Sequence, residues 1–130
     1  MSKLVELFGK CEASKTDERW DFLEELSESG EYDHLSVDEV VVMSEFYCLC
    51  SLDEDINDRL MRYIEYYALD LRFCDKVMNV LMDNIENSEW ARSSLRRIMR
   101  TFNFDINAEA FNSIDKERLS SVIRDLDRLK

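Results

Sequence analysis

The 130-residue chain has no proline and only two glycines, and β-hairpin turns depend heavily on glycine. Together with a hydrophobic content of 45%, this disfavours β-rich and disordered chains and predicts an all-α protein with one helical domain over residues 1–130. The net charge is −12, and the whole excess lies in residues 1–60, which hold 17 acidic and 5 basic residues, whereas residues 61–130 hold 12 of each. Such a field disfavours nucleic acid and anionic membrane as partners and favours a basic protein.

Two helices are predicted before residue 31. A short one runs from Ser2 to Cys11, and a second is capped by Thr16 and stopped by Gly30. The outward positions of the second helix are acidic: Asp21, Glu24, Glu25 and Glu28. A loop over residues 31–35 is expected to follow it.

Helix-start signals then recur at steps of 17, 17 and 18 residues, at Ser36, Asp53, Asp70 and Ser88. The side chain of each can accept a hydrogen bond from an unpaired amide in the first turn of a helix. The spacing fits helices of roughly 13 residues joined by short connections. It therefore predicts antiparallel helical hairpins.

The helix that begins after Ser36 is expected to be central. Ser36 and Glu39 have the spacing of a capping box, and Leu35 and Val40 that of a hydrophobic staple. Residues 37–50 are apolar nearly all round, which is typical of a helix buried on more than one side.

The next three helices each carry one apolar stripe. In the helix capped by Asp70, the stripe is expected to start at Leu71, with Leu69 and Cys74 as a staple. Three aromatic residues fall outside the stripes: Tyr32, Tyr66 and Phe104. They fit either anchors of an interface or side chains half-buried against a neighbour.

The pattern ends with a short helix capped by Asn107 and a last helix capped by Asp115. The total is about seven or eight helices. In form, the arrangement resembles a small α-solenoid of the HEAT or armadillo type, with an irregular helical bundle as the alternative. No named repeat consensus is present.

No motif in the chain predicts catalysis, a cofactor or a metal. His34 is the single histidine, and Cys48 and Cys50 are two residues apart, so that their thiols would point to different sides of a helix. The acidic run 53–58 lacks the central glycine of a calcium loop. We expect buried free thiols and no enzyme activity.

Arg92, Arg96 and Arg100 lie four residues apart on one side of the helix after Ser88, and Arg97 lies beside them. This stripe fits an anion or RNA contact. It also fits a solvated face, or a face paired with acids such as Asp75, Asp83 and Glu86. The negative net charge favours these two interpretations over an anion or RNA contact.

These features predict a cytoplasmic, acidic helical protein that binds and neutralises a basic protein partner. An immunity protein for a bacterial toxin, or a phage inhibitor of a host defence nuclease, would have this size and charge. The alternative is a non-catalytic scaffold or adaptor that binds a partner helix. The expected contact residues form two groups: Glu24, Glu25, Glu28, Glu31, Tyr32 and Asp33, and Asp53, Glu54, Asp55 and Asp58.

Overall fold

The computed structural model describes residues 35–49 and 54–129, and this part of the chain is helical with no strand. Its elements are α1 (Val37–Leu49), α2 (Glu54–Ala68), α3 (Cys74–Asp83), α4 (Glu89–Thr101), a 3₁₀ helix (Glu109–Phe111) and α5 (Lys116–Arg128). The all-α prediction is confirmed for these residues. The two helices predicted before residue 31 lie outside the described residues, so the total of seven or eight is not confirmed.

Three of the predicted caps are confirmed. The amide of Ser36 donates to the Glu39 carboxylate (3.0 Å) and the amide of Glu39 donates to Ser36 Oγ (3.2 Å), which is the reciprocal capping box. Ser88 Oγ accepts from the Ala91 amide at 3.1 Å. Asp115 accepts from the Glu117 amide at 2.9 Å.

The predicted helix start at Asp70 is wrong, because α3 begins only at Cys74 and the bond that Asp70 accepts from a backbone amide lies in the turn before it. Asp70 Oδ1 accepts from the amide of Arg72 at 3.0 Å, and its Oδ2 accepts from the Arg72 guanidinium at 2.9 Å. A turn therefore separates α2 from α3, and α3 begins only at Cys74 with no side-chain cap. Leu69 and Leu71 are 49% and 59% exposed, so the predicted staple and the first residue of the stripe are wrong too.

The predicted cap at Asn107 is also wrong. The Asn107 amide donates to Asp105 Oδ1 (2.9 Å), so Asp105 closes a turn at this point. The 3₁₀ helix begins at Glu109, and Ala108, which has no side-chain acceptor, occupies the cap position.

α1 to α4 form a compact bundle in which each helix contacts the other three. In a one-dimensional stack of hairpins each unit would contact only its neighbours. The contacts fit the irregular bundle, and the solenoid arrangement is not confirmed. The core is filled by large side chains that are almost fully buried: Met43, Tyr47, Leu60, Ile64, Tyr67, Met78, Leu81, Leu95, Ile98 and Phe111.

Two buried tyrosines fix how the helix ends meet. The Leu35 amide donates to the Tyr67 hydroxyl (3.3 Å), so the start of α1 lies beside the end of α2. The Tyr47 hydroxyl donates to the Trp90 carbonyl (3.2 Å) and lies 2.7 Å from Ser94 Oγ, so the end of α1 lies beside the start of α4.

The bundle therefore has two ends. The Tyr67 end comprises the start of α1, the end of α2, the turn into α3 and the end of α4. A 2.9 Å ion pair between Glu65 and Arg97 joins the last turn of α2 to the C-terminal half of α4. The Tyr47 end comprises the end of α1 and the starts of α2 and α4.

Candidate functional site

Ten residues, in two groups, are predicted as contacts with the partner. Seven of them lie outside the described residues: Glu24, Glu25, Glu28, Glu31, Tyr32, Asp33 and Asp53. Glu54 and Asp55 are located by their backbone alone, in the first turn of α2. Asp58 follows in the second turn, and its side chain is exposed. The start of α2 at Glu54 agrees with the helix predicted after Asp53.

α1 contributes acidic groups that the sequence reading did not select as contacts. Asp38 and Glu45 are exposed and seven residues apart, which places them on one face of the helix about 10 Å apart along its axis. Residues 35–49 contain three acids and no lysine or arginine. The charged residues of this nearly all-apolar helix are all acidic, and this pattern could have identified them as contacts from the sequence. We call Asp38 and Glu45, with Asp58 and the positions of Glu54 and Asp55, the acidic surface.

The basic residues of the second half do not offset the acidic surface. Among the described residues, every ion pair joins two members of residues 61–130: Arg72–Asp70, Lys76–Asp75, Arg97–Glu65, Arg118–Asp83 and Arg128–Asp125. No such pair involves Asp38, Glu45 or Asp58. Five cations of the second half are therefore paired with acids of the same half, and the exposed Asp38, Glu45 and Asp58 lie outside these pairs.

The arginine stripe of α4 is mostly bound inside the protein. Arg92 Nη1 donates to the Ile85 carbonyl just beyond α3 (2.7 Å), and Arg96 Nη2 donates to the carbonyls of Leu126 (2.8 Å) and Leu129 (3.3 Å) at the end of α5. Carbonyls at the C-terminal end of a helix lack partners within it and favour a cation.

The acids expected to pair with the stripe are not its partners. Asp83 binds Arg118, while Arg97 binds Glu65 on α2. Arg100 is exposed on the same side of α4, in its last turn. The stripe therefore connects helices rather than presenting one continuous basic face.

Cys48 and Cys74 are buried free thiols, as predicted. Burial raises the pKa of Cys48 to about 12, with a smaller contribution from Glu45, and raises the pKa of Cys74 to about 11. Such thiols are poor nucleophiles at neutral pH. Cys11, His34 and Cys50 lie outside the described residues.

Two further features are absent from the described residues. In residues 35–49 and 54–129, no group of three or more histidine, cysteine, aspartate or glutamate side chains could hold a metal ion. Within the same ranges, none of the helices is both long and apolar enough to cross a membrane.

The structure also exposes apolar side chains at the Tyr67 end. Leu69 and Leu71, predicted to pack inward, project from the turn between α2 and α3. Tyr66 and Phe104, which fell outside the predicted stripes, are 50% and 48% exposed. Stripe periodicity showed that the two aromatic residues lie outside the core stripes. It did not show that the leucines are exposed, because the exposure of the leucines depends on where α3 begins.

Comparisons with known proteins give no match: neither a family model, nor a curated protein, nor a solved structure corresponds to this chain.

Proposed function

We propose that this chain is an acidic helical protein that binds and neutralises a basic protein partner. The observation that carries the proposal is that the carboxylates of Asp38, Glu45 and Asp58 are exposed and outside every ion pair among the described residues. An unpaired, fixed set of like charges attracts an oppositely charged protein from a distance and raises its association rate.

The helical scaffold suits this role because it holds the carboxylates at fixed separations. Blocking a nuclease or another nucleic-acid-binding protein requires carboxylates where phosphates would otherwise lie. An immunity protein that neutralises a bacterial toxin, or a phage inhibitor of a host defence nuclease, fits this description equally well. Both would act in the cytoplasm. In this proposal Glu24, Glu25 and Glu28, which lie outside the described residues, are further contacts with the partner.

The test compares two triple variants that remove the same number of acids. The first neutralises the acidic surface: Asp38→Asn, Glu45→Gln and Asp58→Asn. The matched control neutralises acids already paired within the protein: Asp75→Asn, Asp83→Asn and Asp125→Asn. Both variants and the wild type serve as bait in lysate from the native host, and the recovered protein is then purified for kinetics.

The proposal predicts a basic protein whose association rate falls as salt rises, since screening shortens the range of the field to roughly 8 Å at physiological ionic strength. The first variant is expected to slow association about tenfold at low salt, within the range that electrostatic steering supplies. The control should change it less than threefold. Failure to retain a basic protein at physiological salt, or a rate independent of salt, refutes the proposal.

A second candidate is a scaffold or adaptor subunit that holds a partner helix. The half-exposed leucines of the α2–α3 turn favour it, because apolar contact would then supply the affinity. It predicts that the first triple variant binds the partner at the wild-type rate.

A further inference from the structure

The exposed large apolar side chains of the described residues gather at one end of the bundle. They are Val37 (40% exposed), Tyr66 (50%), Leu69 (49%), Leu71 (59%) and Phe104 (48%). Val37 starts α1, Tyr66 lies in the last turn of α2, the leucines lie in the turn into α3, and Phe104 follows α4. The hydrogen bond from Leu35 to Tyr67 and the ion pair of Glu65 with Arg97 bring these segments together. All five therefore belong to the Tyr67 end.

The turn that carries the two leucines is well braced. Asp70 binds both the amide and the guanidinium of Arg72, and this hydrogen bonding lowers the pKa of the Asp70 carboxyl. Phe73 is buried and packs edge-on against Tyr67, with ring centroids 4.9 Å apart. The Arg72 guanidinium lies 5.3 Å from the Phe73 ring centre. The leucines are thus held outward by an ordered turn.

Phe104 is held outward at an energetic cost. Its φ is 56°, in the left-handed region that a bulky side chain rarely adopts, and Asn103 before it has the same φ. The Phe104 amide donates to the Met99 carbonyl (2.8 Å) and the Asn103 amide to the Arg100 carbonyl (3.0 Å), the paired bonds that end a helix in a Schellman motif. Glycine at position 104 would adopt a φ of 56° with less strain. The half-exposed ring gains little burial in return.

We propose that the Tyr67 end is the apolar anchor of the interface with the basic protein partner. This inference rests on the proposed function and adds the contacts that hold the complex together once the charges have steered it. Large aromatic and aliphatic side chains commonly dominate binding energy in this way, with charged groups at the rim.

Charge selects the occupant. Asp38 follows Val37 and Asp105 follows Phe104; both acids are exposed and in no ion pair among the described residues. The charge of Arg72 is offset by Asp70, whereas Arg62, one turn before Tyr66, and Arg100, in the last turn of α4, are exposed cations. The margin is therefore acidic on the α1 side, beside Val37, and that side suits a basic partner.

Continuity supports the same occupant. Asp38 and Glu45 share one face of α1, and the half-buried Val41 and Val42 lie between them. This face runs from Asp38 at the Tyr67 end, where the apolar side chains lie, to Glu45 near the Tyr47 end. One partner can then contact the acidic surface and the apolar end at once.

The first experiment places the photocrosslinking residue p-benzoyl-phenylalanine at position 71, 104 or 87 in the native host. Asn87 is the control, because it is exposed in the connection between α3 and α4, away from the Tyr67 end. We expect positions 71 and 104 to crosslink to the same basic protein and position 87 to give no such product. Crosslinks from position 71 or 104 to a second copy of this chain, or to an acidic protein alone, overturn the inference.

The second experiment measures dissociation of the crosslinked partner in purified form. The double variant Leu69→Ser/Leu71→Ser and the single variant Phe104→Gly are each expected to raise the dissociation rate at least tenfold, with an unchanged dependence of association on salt. Asn87→Ser should leave both rates unchanged. Phe104→Gly should also keep or raise the melting temperature by a few degrees, because relieved strain offsets the flexibility of glycine.

The outcomes separate this inference from the proposed function. Unchanged dissociation in both apolar variants overturns the inference, even if the acidic triple variant still slows association. A melting temperature that falls by more than about 5 °C in Phe104→Gly shows that the ring serves the fold, and overturns the role assigned to Phe104. Unchanged association in the acidic triple variant overturns the proposed function itself.

Discussion

The bond between α4 and the end of α5 gives the sharpest prediction about the fold. Arg96 donates to two carbonyls, those of Leu126 and Leu129, and its side chain is half-buried. Arg96→Met keeps the apolar part of the side chain and removes the guanidinium. The carbonyls at the end of α5 then lose their charged donor.

The expected loss in the free energy of unfolding is about 2 kcal/mol, because hydrogen bonds from a charged group contribute roughly 1.5–3 kcal/mol when buried and less when partly exposed. Arg100→Met is the matched control on the same side of the same helix. Its side chain is exposed, so the control should lose less than about 0.5 kcal/mol.

Urea unfolding followed by circular dichroism measures both variants. Arg96→Met should lower the midpoint by about 1 M urea without changing the slope. Hydrogen exchange should show faster opening of α5 in this variant than in the control. Equal stability of the two variants would refute the assignment of Arg96 as an internal connection and would reopen the stripe as a surface for an anionic ligand.

Three further predictions concern stability. Ser36→Ala should cost about 1 kcal/mol in urea unfolding, whereas Asp70→Ala, which removes the ion pair with Arg72 and a hydrogen bond within the turn but no helix cap, should cost about half as much or less; the reverse order would contradict the cap assignments. Burial raises the pKa of Tyr47 from 10.0 to about 12 and that of Cys48 from 9.0 to about 12. The free energy of unfolding should hold below pH 9 and fall between pH 9 and 12, less steeply in Tyr47→Phe; equal slopes would be inconsistent with the buried phenol. Finally, in a variant whose other cysteines are serine, Cys48 and Cys74 should react with a thiol reagent at the rate of unfolding, and rapid labelling of the native protein would disprove their burial.

Local sequence signals predicted the helices well where the cap had no competing partner. Ser36 and Ser88 cap the helices they were expected to cap, and their hydroxyls accept from the amides of Glu39 and Ala91. Asp70 has the same helix-forming context, but Arg72 lies two residues later and binds its carboxylate. A cap rule that considers one residue type at a time cannot anticipate this competition.

Packing between helices was less predictable. A regular period of 17 residues indicates the approximate length of each helix, but not which other helices it contacts. The same limit applies to the arginines of α4. Their spacing showed that Arg92 and Arg96 share a side of the helix, yet their partners are carbonyls at the ends of α3 and α5. Carbonyls at helix ends are present in every sequence, so they leave no residue-specific signal.

The sequence predicted the acidic character of the candidate site better than it predicted the residues that form the site. Net charge by halves showed where the acids are concentrated. It could not show that several cations of the second half pair with acids of the same half, because that depends on contacts such as Arg118 with Asp83. The exposure of Leu71 likewise follows from the late start of α3.

The proposed function depends on negative charge at Asp38, Glu45 and Asp58 that no neighbouring cation offsets. Paramagnetic relaxation of backbone amides by a cationic and by an anionic nitroxide cosolute measures the potential near each residue in the free protein. We expect a distinctly more negative potential around these three residues than along α3, α4 and α5. A potential equal along all five helices would show that the charge is offset and would refute the proposed function.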